Sequence, residues 1–228
     1  MPSKRFEEVK VKINKDAMYS LEEAVKLCKE TATAKFDETV ELHIRTGIDP
    51  KRGDQQIRGT VVLPHGTGKT RRVAAFVDPA NEKAAEEAGA DVIGTEEVIN
   101  KIITSGKFDF DVAVAVPAMM PKLAKAAKIL GPRGLMPNPK TDTVGPNVAK
   151  MIEEQKGGKI SFKNDDTSNL HISIGKTSFD EKQLLDNLQT TLEVIKRAKP
   201  ASAKGIYIKS ASLSCTMGPA VKLDTAAI

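Results

Sequence analysis

From about residue 67 to residue 159 the chain alternates between two kinds of apolar pattern, and this alternation restricts the possible folds most. Short apolar runs, Val73 to Val77, Asp91 to Ile93 and Asp111 to Val116, are separated by helical patterns at about 80 to 88, 95 to 104, 118 to 130 and 146 to 155. Such a sequence predicts a parallel sheet covered by helices, because parallel neighbours need a crossover long enough to hold a helix. The pattern stops at Gly157-Gly158.

The flanks follow another rule. In KFDETVELHIRTGID, Lys35 to Asp49, residues Phe36, Val40, Leu42 and Ile44 fall on one side at period two, and Asp37, Thr39, Glu41, His43 and Arg45 on the other. That is a half-buried strand with one core face and one available face. Before it, Ser20 and Glu23 form a capping box for a helix from about 20 to 31, whose stripe is Leu21, Ala24, Val25 and Cys28. A second strand runs from Ile57 to Leu63, and Pro64-His65-Gly66 breaks it.

After the glycines, Ile160 and Phe162 oppose Leu170, Ile172 and Ile174 across NDDTSN, which predicts a hairpin. Ser178 with Glu181 predicts the cap of a helix buried through Leu184, Leu185, Leu188, Leu192 and Ile195. In a last strand, Ile206 to Met217, the apolar positions switch from even (Ile206, Ile208) to odd (Ala211, Leu213, Cys215), predicting a bulge near Lys209 or Ser210. Val221 and Leu223 extend this strand past a turn. Neither flank alone carries enough apolar surface for a core. The simplest architecture is one domain built from both ends with a second inserted, joined by glycine-bearing crossings near 64 to 68 and 156 to 160.

Composition excludes several classes. With 228 residues, 40% hydrophobic and 29% charged, the chain is a folded protein of one large or two modest domains. Its longest apolar run, Val112 to Met120, falls far short of the roughly 20 residues a bilayer needs. MPSKRFEEVK brings acids before any apolar stretch, unlike a signal peptide, so the expected compartment is the cytoplasm. Cys28 and Cys215 have no ligand spacing and are expected as small core residues or free thiols. A net charge of +5, from 35 basic and 30 acidic residues, permits a polyanionic partner without requiring one.

HGTGKT, His65 to Thr70, resembles a phosphate loop but has Leu63 where the leading glycine belongs, so a linker is expected there. His43, His65 and His171 lack metal-ligand spacing, although His43 and His171 sit on polar strand faces and are expected as neighbours on one sheet. No nucleophile–base or paired-carboxylate arrangement stands out, so neither catalysis nor a cofactor or metal is expected.

From Val112 to Thr141 there is no acid, yet Lys122, Lys125, Lys128, Arg133 and Lys140 occur. These form either a polyanion-facing patch or a solvated face opposite Leu123, Ala127 and Leu130, and charge alone does not separate the two. GPRGLMPNPKTDTVGP, Gly131 to Pro146, holds four prolines and three glycines and is a loop that Leu135 and Met136 should order. TMGP, Thr216 to Pro219, closes the last strand with a hydroxyl, a flexible apolar side chain and a turn glycine that lets another backbone approach.

KFDETVELHI, IRGTVVLPHGTGKT, ILGPRGLMPNPKTDTVG, HISIGKTSF and SCTMGPAVKLD together resemble, in order and spacing, the bacterial large-subunit ribosomal proteins of the L-one family. The likeness covers nearly the whole chain, and GPRGLMPNPK is its most specific part. It implies an α/β fold of two domains: an α+β two-layer domain of residues 1–66 plus 160–228, and an inserted Rossmann-like three-layer α/β domain of residues 67–159. It further implies a ribosomal protein, monomeric when free, that binds the stalk of large-subunit ribosomal RNA. Two more roles are implied: helping deacylated tRNA leave the exit site, and repressing translation of its own operon mRNA.

The family's main RNA site maps onto Phe36, Thr39 and Glu41 of the opening strand and Thr216, Met217 and Gly218 of the closing turn. His43 and His171 are added here from the strand pattern, with the Lys122, Lys125, Lys128, Arg133 and Lys140 group as a secondary contact. Two rivals are an RNA-binding regulator outside the ribosome and a nucleotide-binding enzyme; the latter needs a glycine fingerprint that VDPANEKA lacks. The chain departs from the family in MMPKLAKAAKIL, where Pro121, Ala124 and Ala127 predict a firmer helix, and in Cys215, where a hydroxyl residue is usual.

Overall fold

The computed structural model describes residues 4–225. In chain order the elements begin with α1 (Lys4–Lys10), α2 (Leu21–Thr31), β1 (Thr39–Thr46) and β2 (Arg58–Val62). There follow β3 (Val73–Phe76), α3 (Glu82–Glu87), β4 (Val92–Ile93), α4 (Glu96–Ser105) and β5 (Val112–Ala115). Two short helices, α5 (Met120–Leu123) and α6 (Ala127–Leu130), precede α7 (Val148–Lys156). The chain ends with β6 (Lys159–Lys163), β7 (Asn169–Lys176), α8 (Glu181–Arg197), β8 (Ile208–Cys215) and β9 (Val221–Leu223). It divides into two compact units, one made of the chain up to Gly68 and from Ile160 onward, the other Lys69–Lys159.

The first unit is organised by β1. Val40, Leu42 and Ile44 are buried while the intervening residues are not, as period two requires. β1 lies inside a four-stranded sheet of order β7-β1-β8-β9, every neighbouring pair antiparallel. The inward face of that sheet packs on α2 and α8 through Val25, Cys28, Leu184, Leu188 and Ile195. Cutting Leu42 back to alanine here costs roughly 2–5 kcal/mol. The predicted bulge is present: Arg45 pairs with Ser210 and Thr46 with Ile208, leaving Lys209 as the extra residue.

Four local expectations fail, each for a physical reason. β6 and β7 do not form a hairpin; β6 pairs with β2, and β7 with β1. Asn164 decides this, because its side chain accepts the Ile57 N–H at 2.8 Å and its own N–H donates to the Ile57 carbonyl. Asp165 then turns the chain by accepting from the Thr167 and Asn169 amides, with Ser168 left-handed at φ 69°. The cap of α8 is Asp180 in a box with Gln183, two residues beyond Ser178, whose hydroxyl donates to Asp37 instead.

Phe36 is not on the core face: it precedes β1 and is 55% exposed. Finally, MMPKLAKAAKIL is not one firm helix, because a 3₁₀ turn at Ala124–Ala126 separates α5 from α6. The buried positions are Met119, Leu123, Ala126 and Leu130, so the middle step is three residues, the 3₁₀ period, and Ala126 rather than Ala127 faces inward. The helical propensity of alanine is outweighed by packing.

Within the second unit, β4-β3-β5 form a parallel sheet whose strand β3 is buried along its whole length. Ala74, Phe76 and Ala115 pack under α4, α5 and α6, while Val73, Ala75 and Val114 pack under α3 and α7. Both faces are covered, giving three layers. The Gly131–Pro146 loop is ordered by Asn138, whose carbonyl accepts from the Thr141 and Thr143 hydroxyls, and by a bridge of Val144 to Ala115 at the β5 edge.

Candidate nucleic-acid interface

Burying the apolar half of β1 leaves the other half of the sheet open. Register places the outward residues in rows. His171, His43, Ser212 and Lys222 form one row across β7, β1, β8 and β9; Ser173, Glu41 and Ser214 form the next; Asn169, Arg45 and Ser210 a third. The face thus carries hydroxyls, imidazoles, one carboxylate and two cations, and no large apolar side chain.

The two histidines meet, as the strand pattern predicts. Their Nδ1 atoms are 2.8 Å apart, and His43 Nε2 lies 3.0 Å from the Ser214 hydroxyl. Nδ1 to Nδ1 is a hydrogen bond only when one ring donates and the other accepts, so the pair resists becoming doubly charged. Burial, followed by the nearby charge of His171, pushes the His43 imidazole below its ordinary value, against the opposing pull of Glu41.

At the head of the sheet β1 is tied to the turn after β8. The Thr39 N–H donates to the Thr216 hydroxyl at 3.0 Å, and the Thr216 N–H donates to the Thr39 carbonyl at 3.1 Å. The Thr39 hydroxyl accepts from Lys176 Nζ at 3.0 Å. Beneath them lies Glu38, 1% exposed, whose carboxylate accepts the Met217 N–H at 2.8 Å and the Ala34 N–H at 3.0 Å. A buried carboxylate between two amides fixes the turn, because moving either amide strands a charge.

Fixing the turn presents Met217, 51% exposed, at the head of β1, where exposed Phe36 lies three residues before Thr39. Gly218 has ordinary room for a methyl group, 3.4 Å from Cys215 Cβ, so no intrachain clash demands glycine there.

Thr39, Thr216, Met217 and Gly218 are therefore brought together, and Glu41, His43 and His171 line the adjoining face. Thr216 is engaged inside the protein, not held free. Missed by the strand pattern was Glu38, whose signal was legible: it is an acid on the inward phase between Phe36 and Val40. Asn187 was also missed. Fully buried on α8, it accepts the His65 N–H and donates to the Gly66 and Ile174 carbonyls, holding HGTG against this unit. Gly68, at φ +70°, lies close to Lys176 and Phe179 of the same unit.

In the second unit the basic residues are divided. Lys122 is ion-paired with Glu96, Arg133 lies 4.6 Å over the Phe108 ring, and Lys125, Lys128 and Lys140 are exposed. The crevice outside the carboxyl ends of the parallel strands, where a dinucleotide would sit, is lined by four carboxylates, Asp78, Glu82, Glu96 and Glu97, against the single cation Lys122, a net negative set unfavourable to phosphate. Cys28 and Cys215 are buried free thiols, with Cys215 Sγ 3.2 Å from the Cys28 carbonyl. No helix among the described residues is long and apolar enough to cross a membrane.

Fold and surface together define a mixed α/β protein whose polar sheet face carries hydrogen-bonding rather than catalytic chemistry. Residues 28–219 match the model of the ribosomal protein L1p/L10e family. The large ribosomal subunit protein uL1 of Streptomyces coelicolor is 53% identical over 223 residues, spanning 98% of this chain and 92% of the relative. The proteins of that name in Mycolicibacterium gilvum and Corynebacterium glutamicum are each 53% identical, over 97% and 98% of this chain and 92% and 94% of theirs. The chain belongs to the ribosomal protein L1p/L10e family, a family of ribosomal proteins and not of enzymes.

Proposed function

We propose that the chain is a structural protein of the large subunit of cytoplasmic ribosomes, and that residues 1–66 with 160–228 form its RNA-binding domain. The central domain, residues 67–159, supplies at most the secondary contact through Lys125, Lys128, Arg133 and Lys140. The ligand of the first domain is the helical stalk of large-subunit ribosomal RNA. The observation carrying this reading is the rigid join of Thr39, Thr216 and Met217 over buried Glu38, at the end of an open polar sheet face.

Folded RNA is recognised through its shape, 2′-hydroxyls and phosphates, which suits fixed hydroxyls and amides better than a dense lysine cluster. Glu41, costly beside phosphate, accepts from a 2′-hydroxyl or a guanine amine. Phe36 and Met217 pack on sugar or base, and Gly218 leaves room for the backbone of the RNA. His171 supplies a donor through Nε2, while His43, engaged at both ring nitrogens by His171 and Ser214, holds that ring in place.

Two finer roles belong to the same reading: promoting release of deacylated tRNA from the exit site, and repressing translation of the protein's own operon mRNA through a stalk-like structure. The basic test is titration of the full chain with a stalk fragment and with an unrelated RNA hairpin of equal length, where preference for the stalk is expected and equal affinity rejects it. Cofractionation with large subunits separates a ribosomal from an extra-ribosomal protein. Exit-site tRNA dissociation from ribosomes with and without the protein, and a reporter behind the operon leader, decide the finer roles.

A further inference from the structure

The polar sheet face does not end at β1. Its far side opens into a groove of about 350 Å³ beside β8 and β9, bordered by the segment that leads into α2. Lys15, Lys209 and Lys222 line it together with the hydroxyl-bearing Ser210, Ser212 and Thr225, and its lining holds no carboxylate. All three lysines are exposed, and none forms an ion pair or a side-chain hydrogen bond among the described residues. Some cations elsewhere on this protein are satisfied internally, as Lys159 is by Glu154 and Lys122 by Glu96. Three unpaired ammonium groups converging on one groove repel each other, and that cost is offset when an anion binds.

We propose that this groove holds the phosphodiester backbone of the bound RNA, as a second contact site beyond Thr216, Met217 and Gly218. The proposal rests on the RNA-binding reading above and adds a location and a chemistry to it. Continuity supports it: Ser212 stands opposite His43 on one side and Lys222 on the other, so the groove prolongs the row that starts at His171. That row crosses three strand spacings, about 14 Å, enough for one RNA strand to rest on the face and run into the groove.

Lys209 is in place because it is the bulged residue of β8, paired with neither Arg45 nor Thr46. A bulge re-aims one side chain, at the cost of a local break in the ladder. Hydroxyls beside ammonium groups suit phosphate oxygens, to which amines contribute point charge and hydroxyls a directed donor. Such contacts position an RNA without reading its bases.

The test replaces Lys15, Lys209 and Lys222 together by glutamine in the full chain. A control variant of equal charge change replaces Lys182, Lys196 and Lys199, on or just after α8 against the opposite side of the sheet. Wild type and both variants are titrated with the stalk fragment and with an unrelated duplex RNA from 50 to 200 mM salt, after unfolding curves establish that they fold alike. Three lost phosphate contacts lower the salt slope by about 2.1 to 2.7, so the wild-type to variant affinity ratio should fall about 20- to 40-fold across that range. The control should keep the wild-type slope.

A groove variant with wild-type slope and affinity, or a control variant with the same loss as the groove variant, overturns the proposal. A wild type that binds both RNAs equally rejects stalk recognition instead. The groove is then still decided by whether its variant alone loses slope.

Discussion

Glu38 and Met217 stand 179 residues apart and are joined by a 2.8 Å hydrogen bond from the Met217 N–H to a carboxylate that is 1% exposed. The second oxygen of the same carboxylate holds the Ala34 N–H. Glu38→Gln keeps the size but offers one acceptor oxygen where two amides need one each, leaving a buried N–H unsatisfied at a cost of about 1–3 kcal/mol. Urea unfolding should register this loss, and hydrogen exchange should quicken at Met217 more than at neighbouring core amides. Unchanged exchange at Met217 would remove Glu38 from its positioning role.

Thr216 acts through Thr39. Thr216→Ser preserves the hydroxyl that accepts the Thr39 N–H and should bind RNA like the wild type, whereas Thr216→Ala should lose about 1–3 kcal/mol of RNA affinity. Parallel titrations of the two variants check it, and equal losses in both would contradict the hydroxyl's part.

Phe36 is exposed and outside the core, so Phe36→Ala should leave thermal unfolding in place while lowering RNA affinity by about 1–3 kcal/mol, the worth of one aromatic contact. A shifted unfolding temperature with normal affinity would return Phe36 to a packing role.

The histidine pair sets a pH dependence of stability. His43 is held below its ordinary value in the folded state, so the unfolded chain binds more protons as pH falls. Its neutral form therefore contributes stability above about pH 6.5 that is lost as pH falls through the lower, folded value. Neighbouring Asp165, brought down to about 2 by bonds from the Asn169 amide and Thr167, stays ionised throughout that window. Urea unfolding from pH 5 to 7.5 should show a slope that His43→Asn flattens.

In the central unit Lys159 is buried with Glu154 at 2.7 Å and Asp142 at 3.3 Å. Glu154→Ala leaves the ammonium with one exposed partner and should cost about 1–3 kcal/mol, read by urea unfolding.

Strong periodicity was legible and local competition was not. The inward phase of β1, the Leu184–Leu188–Ile195 stripe of α8 and the Lys209 bulge all follow from spacing, because burying one face leaves no freedom in register. The β6–β7 hairpin failed because opposed apolar residues fit several partners, and one side-chain bond from Asn164 settled the choice. Ser178 and Asp180 are both good caps; Asp37, distant in sequence, recruited the serine. Of the candidate site, the residues were readable from the family likeness, but the tie between Thr39 and Thr216 depends on contacts across 177 residues that no local pattern carries.

The most direct test is backbone amide mapping of the full chain as it is titrated with the stalk fragment of large-subunit RNA. The strongest perturbations should fall at Thr39, Glu41, His43, Met217 and Gly218. Perturbations confined to residues 122–140, with those amides unmoved, would contradict the account and make the central unit the RNA-binding one.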